Sequence, residues 1–333
     1  MVVGKCQSAI YIFNMRRYQT AAKTVVIIGY GSQGRAIALN LRDSGYCVAI
    51  GLRHRSKSRM AAKKDGFEAV HTIAKAIRVT DPSCICFAFP DHLHGQVYEE
   101  HIRANLPSDR PCRLLFLHGM SVHFGMVRPP SNCDVILLAP HAPGDAVREK
   151  YLTDRSLSAF YGVHRDVSGH ARRAVIELAR AIGFDKKRLI ATTFEDEAVG
   201  DLFGEQAVLC GGLAMLVKTG FEVLIEKGLP PENAYLEVAY QLDLIVEMIK
   251  KHGVAGMLER ISVAARYGSV LSGPQIVDKA VKEHMEKVYD RIRSGEFARQ
   301  LGGLDKSGVA GLKKAVRALS HPLLEKAARK FAP

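Results

Sequence analysis

Tryptophan is absent from this 333-residue chain, aromatic residues make up only 7% of it, and its basic residues form no long run. Lysine and arginine outnumber aspartate and glutamate by 47 to 34, a net charge of +13, yet they are spread from Arg16 to Lys330. They do not interleave with aromatics as a base-stacking surface requires, so nucleic acid is not an expected partner. A generally basic surface that favours anionic small molecules is expected instead. Paired cysteines are missing too: there are seven, an odd number, scattered through apparent strands (Cys47, Cys84, Cys86) and a helix (Cys210). That pattern reads as reduced, buried thiols. Cys84 and Cys86 have no second pair and no suitably spaced histidines to make a zinc site. Long apolar runs are also lacking. The longest, Ala207 to Val217, is interrupted by Gly211 and Gly212 and falls short of the roughly 20 residues that span a bilayer. Near the start, the apolar piece Ala9 to Phe13 is followed at once by Asn14, Arg16 and Arg17, with no cleavage site typical of a secretory signal. A cytoplasmic protein with no membrane partner is expected.

What is present is an ordinary globular balance, 47% hydrophobic with 24% charged, over a length that favours two domains. From Lys23 to about Ile190, β-branched runs ("TVVIIG", "CVAIG", "CICFAF", "LLFLHG", "DVILLAP", "LSAFYGV") alternate with amphipathic stretches such as Arg35 to Ser44, Lys57 to Asp65 and Ser168 to Gly183. Strands alternating with helices predict a mostly parallel, doubly wound sheet. After "RLIATTF" the β signal stops, and from Glu197 onward the periodicity is helical. One such helix, Asn233 to His252, is entered through "LPPEN" and left at Gly253. The expected fold class is α/β plus all-α, with residues 1–190 as a Rossmann-like cofactor domain and 191–333 as a helical domain for metal, substrate and dimerisation.

The segment "VVIIGYGSQGRAIALNLRDSG" carries Gly29, Gly31 and Gly34 in G-x-G-x-x-G spacing, after a strand and opening a helix. Such glycines permit a tight turn and bring a pyrophosphate against the helix N-terminus, whose N–H groups and dipole favour an anion. Gly29, Tyr30, Gly31, Ser32, Gln33 and Gly34 are therefore candidate cofactor contacts, and Asp91 and Gly144 complete that set. The next strand ends in "VAIGLRHRSKS", which offers Arg53, Arg55, Ser56, Lys57 and Ser58 where an NAD binder would usually place an acid. Guanidinium and hydroxyl groups suit a 2′-phosphate, so NADPH is the expected cofactor, with Arg53, Ser56 and Ser58 as its contacts.

A second candidate site lies in "DLFGEQAVLCGG", where Asp201 and Glu205 fall at i, i+4 inside a stretch that otherwise reads as a buried helix. Two acids on one helix face repel unless that face meets water or a cation. Downstream, in "AYLEVAYQLDLIVEMI", Glu237 and Gln241 repeat the spacing. Carboxylates on facing helices can build a cage for a hard cation such as Mg²⁺. Exposed, solvated acids at the same spacing are the alternative.

Taken together, "GYGSQGRAIALNLRDSG", "LHGMSVHFG", "DLFGEQAVLCGG", "PPENAYLEV", "LIVEM" and "RISVAARYGSVLSGP" resemble the ketol-acid reductoisomerases (acetohydroxyacid isomeroreductases) of the short class, from about Tyr11 to "SHPLLEKAARKFA". The resemblance implies an NADPH- and Mg²⁺-dependent enzyme of branched-chain amino-acid biosynthesis. Such an enzyme migrates an alkyl group within a 2-hydroxy-2-alkyl-3-oxo acid and reduces the product to a 2,3-dihydroxy acid. It also implies a knotted helical domain and a homodimer or higher homo-oligomer with a shared active site. By motif, Asp201 would bridge two Mg²⁺ ions and Glu205 would bind one, while Glu237 would reach in from the partner subunit. Ser262 would contact substrate, and His118 would be the active-site histidine.

The sequence departs from the family pattern at the chemistry. Gln241 replaces a metal-binding Glu, and His141 stands where the family's "PKGPGH" has its Lys. "EETETD" has become "DEAVGD", and Arg260 and Arg266 replace a Ser and a Glu. A neutral amide is a poorer ligand for a hard cation. One ion rather than two, and a paralogue that only reduces a different 2-oxo or imino acid, are alternatives that follow from these changes. A non-catalytic NADP-binding scaffold is a further one. Another is a softer metal held by His94, His118, His123 and His141, set against histidines acting only as hydrogen-bond donors.

Overall fold

A computed structural model describes residues 24–154 and 157–332, which form two compact units that divide between Val199 and Gly200. The stretch from Tyr11 to Lys23 in the family resemblance, and the apolar piece Ala9 to Phe13, lie outside the described residues.

The first unit is built on an eight-stranded sheet in the order β3-β2-β1-β4-β5-β6-β7-β8. The strands are β1 (Thr24–Ile28), β2 (Cys47–Leu52), β3 (Val70–Thr72), β4 (Cys84–Phe87), β5 (Cys112–Phe116), β6 (Cys133–Pro140), β7 (Ala159–Arg165) and β8 (Leu189–Ala191). All pairings are parallel except β6 with β7. The first six strands have the order of a Rossmann fold. Their apolar runs are continuous rather than alternating because both faces are covered. Val25, Ile27, Ile50 and Ile136 pack on one side with Ile37 and Leu41 of the helix Ser32–Asp43; Val26, Ile28, Ile85 and Phe116 pack on the other. Strand β3, only three residues long, carries no sequence signal strong enough to announce it.

Cys84, Cys86, Cys112 and Cys133 are buried in these strands as free thiols, in agreement with expectation, whereas Cys47 is half-buried and Cys210 is exposed, against it. Burial pushes the thiols of the first four up, Cys112 to about 12, so they stay protonated and unreactive.

The second unit is helical, and its main helices are Gly211–Glu226, Leu242–Leu258, Val263–Ile276, Lys279–Arg293, Lys306–Leu319 and Pro322–Phe331. The predicted exit at Gly253 is a real break: Gly253 adopts φ 71° and ψ 175° inside Leu242–Leu258, a left-handed φ that glycine adopts without strain. Two segments wind more widely than an α-helix, Gly204–Leu209 and Leu236–Tyr240. In the first, the Cys210 N–H donates to the Glu205 carbonyl five residues back, at 3.0 Å. Insertions of this kind recur at functional sites.

The stretch from Asp201 to Gly212 is not a buried helix: Asp201, Glu205, Val208 and Leu209 are exposed, and burial in the second unit is confined to a few residues such as Leu202, Phe221 and Ile292. The continuous helical run Phe194–Glu226 is, by length and composition alone, long and apolar enough to cross a bilayer, although no single apolar run in the sequence is. Its first half carries Glu195, Asp196, Glu197, Asp201 and Glu205, which would be costly in hydrocarbon.

Candidate active site

The glycine loop between β1 and the helix Ser32–Asp43 divides its labour. Gly29 has φ +96°, and a Cβ there would strike the Ala88 carbonyl just past β4. At Gly34 a Cβ would meet the Gly29 carbonyl at 2.8 Å. Both are therefore required by packing. Gly31, by contrast, caps the helix in an extended conformation, and a Cβ on it would meet no protein atom within 4 Å. The space over Gly31 is open, which is what close approach of a pyrophosphate needs. Gly144 belongs to the packing group, since a Cβ there would run into the Ser32 backbone at 2.2 Å. It presses the helix Gly144–Leu152 against the loop, and nearby the Gln33 Nε2 donates to the Ala142 carbonyl at 2.6 Å.

A cleft of about 560 Å³ opens over this loop, within the first unit. Gly29, Tyr30, Gly31, Ser32 and Gln33 of the loop line it together with Arg53, Ser56, Ser58, Asp91 and His118. Ten of the sequence-predicted residues thus share one cavity, while Gly34 and Gly144 support it from behind. Arg53, Ser56 and Ser58 are brought there because β2 pairs in parallel beside β1, so its C-terminal end emerges next to the glycine turn. The loop is anchored from below. Tyr30 donates its hydroxyl to Asp65 at 2.8 Å, and Arg35 grips the same carboxylate with two bonds of 2.7 and 2.9 Å. The Arg35 guanidinium holds the Asp65 carboxyl below the usual carboxylate range.

His118 follows β5 and places Nδ1 3.1 Å from both carboxylate oxygens of Glu197. Glu197 is almost fully buried and also accepts the Gly119 N–H. Gly119 is needed there, because a Cβ would strike the Phe194 carbonyl. Glu197 thereby fixes the orientation of the imidazole, and it was missed as a site residue. Its only signal was the acid kept in "DEAVGD", one helical turn before Asp201 on the helix Phe194–Phe203.

In the second unit, the oxygen donors Asp201, Glu205 and Glu237 are exposed, the last two on the widely wound turns. Carboxylate oxygens of this kind suit a hard cation such as Mg²⁺. Gln241 turns its amide nitrogen back onto the Leu236 carbonyl at 3.1 Å, which leaves its oxygen as the remaining donor. Ser262 caps the helix Val263–Ile276, accepting the Ala265 N–H at 3.1 Å. The two unexpected arginines have a local role. Arg260 donates to the Gly256 carbonyl, and Arg266 donates to the carbonyls of Leu258 and Glu259, covering the end of Leu242–Leu258.

His141 does not line the cleft. It is exposed, with Nδ1 3.0 Å from Ser158 Oγ and its ring edge-on to Phe160. His94 has both ring nitrogens engaged, 2.9 Å from Ser121 Oγ and 2.9 Å from the Phe89 carbonyl, so it serves as a hydrogen-bonding core residue and not as a metal ligand.

Residues 19–187 match the family profile "Acetohydroxy acid isomeroreductase, NADPH-binding domain", and residues 194–331 match "Ketol-acid reductoisomerase, C-terminal domain". The chain belongs to the ketol-acid reductoisomerase family. It is 45% identical over 302 residues to the ketol-acid reductoisomerase (NADP(+)) of Pyrobaculum aerophilum, covering 90% of each chain. It is 43% identical to that of Pyrococcus abyssi, covering 92% of this chain and 91% of that one. Among solved structures, it resembles an NADH-preferring ketol-acid reductoisomerase from an uncultured archaeon, with 36% identity, a TM-score of 0.87 and coverage of 95% of this chain and 97% of that one. The ketol-acid reductoisomerase match spans both units, so the departures at Gln241 and His141 sit inside a chain that is otherwise of the family throughout.

Proposed function

We infer that this chain is an NADPH- and Mg²⁺-dependent ketol-acid reductoisomerase of branched-chain amino-acid biosynthesis. It would convert a 2-hydroxy-2-alkyl-3-oxo acid into a 2,3-dihydroxy acid by alkyl migration followed by reduction. The observation that carries this reading is the cleft, which gathers the open glycine loop, Arg53, Ser56 and Ser58, and His118 in one unit of a chain that matches the family over both units. The helix N-terminus at Gly31 and Ser32 would take the pyrophosphate, and Arg53 with the two serines the 2′-phosphate. His118, oriented by Glu197, would hold or move a proton through its other ring nitrogen. Asp201, Glu205 and Glu237 would hold Mg²⁺, with Gln241 offering an amide oxygen. When bound, the metal polarises the substrate's oxygens and stabilises the charge that develops during migration. Ser262, whose oxygen already accepts the Ala265 N–H, would direct its own proton to the substrate.

The proposed assembly is a homodimer with a shared active site, Glu237 being supplied by a second copy. The exposed apolar side chains of the helical unit support it, and the proposed location is the cytoplasm. A second reading keeps only the reduction, because Gln241 is neutral and His141 is turned toward Ser158. Incubation with 2-acetolactate, NADPH and Mg²⁺ tests the first reading: a 2,3-dihydroxy acid formed at about 1 to 10 per second, and abolished by a chelator, is expected. Absence of that product with NADPH and Mg²⁺ present would overturn it.

A further inference from the structure

We propose that His94 is a positioning residue that ties the wall of the cofactor cleft to the segment carrying His118. His94 is 2% exposed and Ser121 is fully buried, so the bonds between them and to Phe89 are sheltered from water. The tautomer follows from the partners. The Phe89 carbonyl can only accept, so Nε2, 2.9 Å away, carries the hydrogen; Nδ1 is then the acceptor, and the Ser121 hydroxyl donates to it at 2.9 Å. Burial lowers the pKa of His94, in keeping with the neutral ring. The charged or titratable groups around it are Asp91, 3.7 Å from Nδ1, together with His92 and His118.

The two bonded partners belong to different parts of the site. Phe89 and Asp91 follow β4 and line the cleft, and the Phe89 ring also lies against the imidazole with ring centres 4.5 Å apart. Ser121 lies three residues after His118, just past Gly119, which is pinned to Glu197. One imidazole thus fixes the distance between the loop that meets the cofactor and the histidine proposed to meet the substrate. The inference rests on the cofactor reading of the cleft.

The test compares wild type with His94→Phe, His94→Gln and Ser121→Ala by NADPH fluorescence titration, by kcat at saturating NADPH, and by thermal midpoint. His94→Phe removes both bonds and is expected to weaken NADPH binding about tenfold and to lower kcat about tenfold. His94→Gln, whose amide can donate to Phe89, is expected to recover NADPH affinity to within about threefold of wild type. Ser121→Ala, which breaks only the link toward His118, is expected to lower kcat with little change in NADPH affinity. This split would not arise from a merely structural role. If His94→Phe does not fold, the other two variants decide. Wild-type NADPH affinity and kcat in Ser121→Ala, or failure of His94→Gln to recover affinity, overturns the proposal. A wild-type protein that binds no NADPH overturns the cofactor reading itself and the proposal with it, whereas binding unchanged across all the variants overturns the proposal alone.

Discussion

The two units handle apolar surface in opposite ways. In the nucleotide-binding unit Val25, Ile27, Ile50, Ile85 and Phe116 are completely buried, and the sheet has helices on both faces. In the helical unit Leu209, Leu216 and Val270 remain 66%, 54% and 60% exposed, and fully buried large side chains are nearly confined to Phe221 and Ile292. A scatter of exposed apolar residues is normal, but a whole helical unit that buries so little is not self-sufficient. The first unit can therefore be understood from one chain. The second, which carries the proposed metal ligands, leaves apolar surface that the proposed homodimer would cover, as in obligate interfaces that resemble a core cut in half.

The largest expected effect separates the units by chemistry. Asp201→Asn should reduce turnover by about a thousandfold or more while leaving the thermal midpoint and NADPH affinity near wild type, because the side chain is exposed; kinetics beside calorimetry checks this. Within the first unit, Gly31→Ala should weaken NADPH binding about a hundredfold without loss of stability, since only the open space above it is filled. Gly29→Ala should lose both affinity and stability, because its Cβ meets the Ala88 carbonyl and its φ is positive. Leu216→Asp should shift the sedimenting species toward monomer and lower activity about tenfold at dilute protein, roughly the cost of one desolvated charge in a partner contact; an unchanged sedimentation profile would show that this face is not covered by a second copy. The smallest effect is expected for Gln241→Glu, which should tighten Mg²⁺ binding about three- to tenfold, read by calorimetric titration.

The nucleotide-binding unit was legible because its signals are local. A glycine turn, the apolar run before it and the residues after the next strand are set by backbone geometry within a few residues, and Gly29, Gly31, Arg53, Ser56 and Ser58 line one cleft, whereas Arg55 and Lys57 do not. The helical unit was legible as helices but not in detail. The i, i+4 spacing of Glu237 and Gln241 assumed an α-helix, whereas Leu236–Tyr240 winds more widely and Gln241 bonds back onto Leu236. The exposure of Asp201 and Glu205 was not legible either, since an apolar stretch left exposed on its own chain has the same composition as one buried in its core. Glu197 escaped notice because its importance is a contact with His118, 79 residues away in sequence.

The most direct test of the account compares NADPH oxidation, with Mg²⁺ present, on 2-acetolactate and on 3-hydroxy-3-methyl-2-oxobutanoate, which lies after the migration step. The account predicts that both are reduced to the same 2,3-dihydroxy acid. Turnover of the second compound alone would contradict it and leave a reductase without the isomerase step.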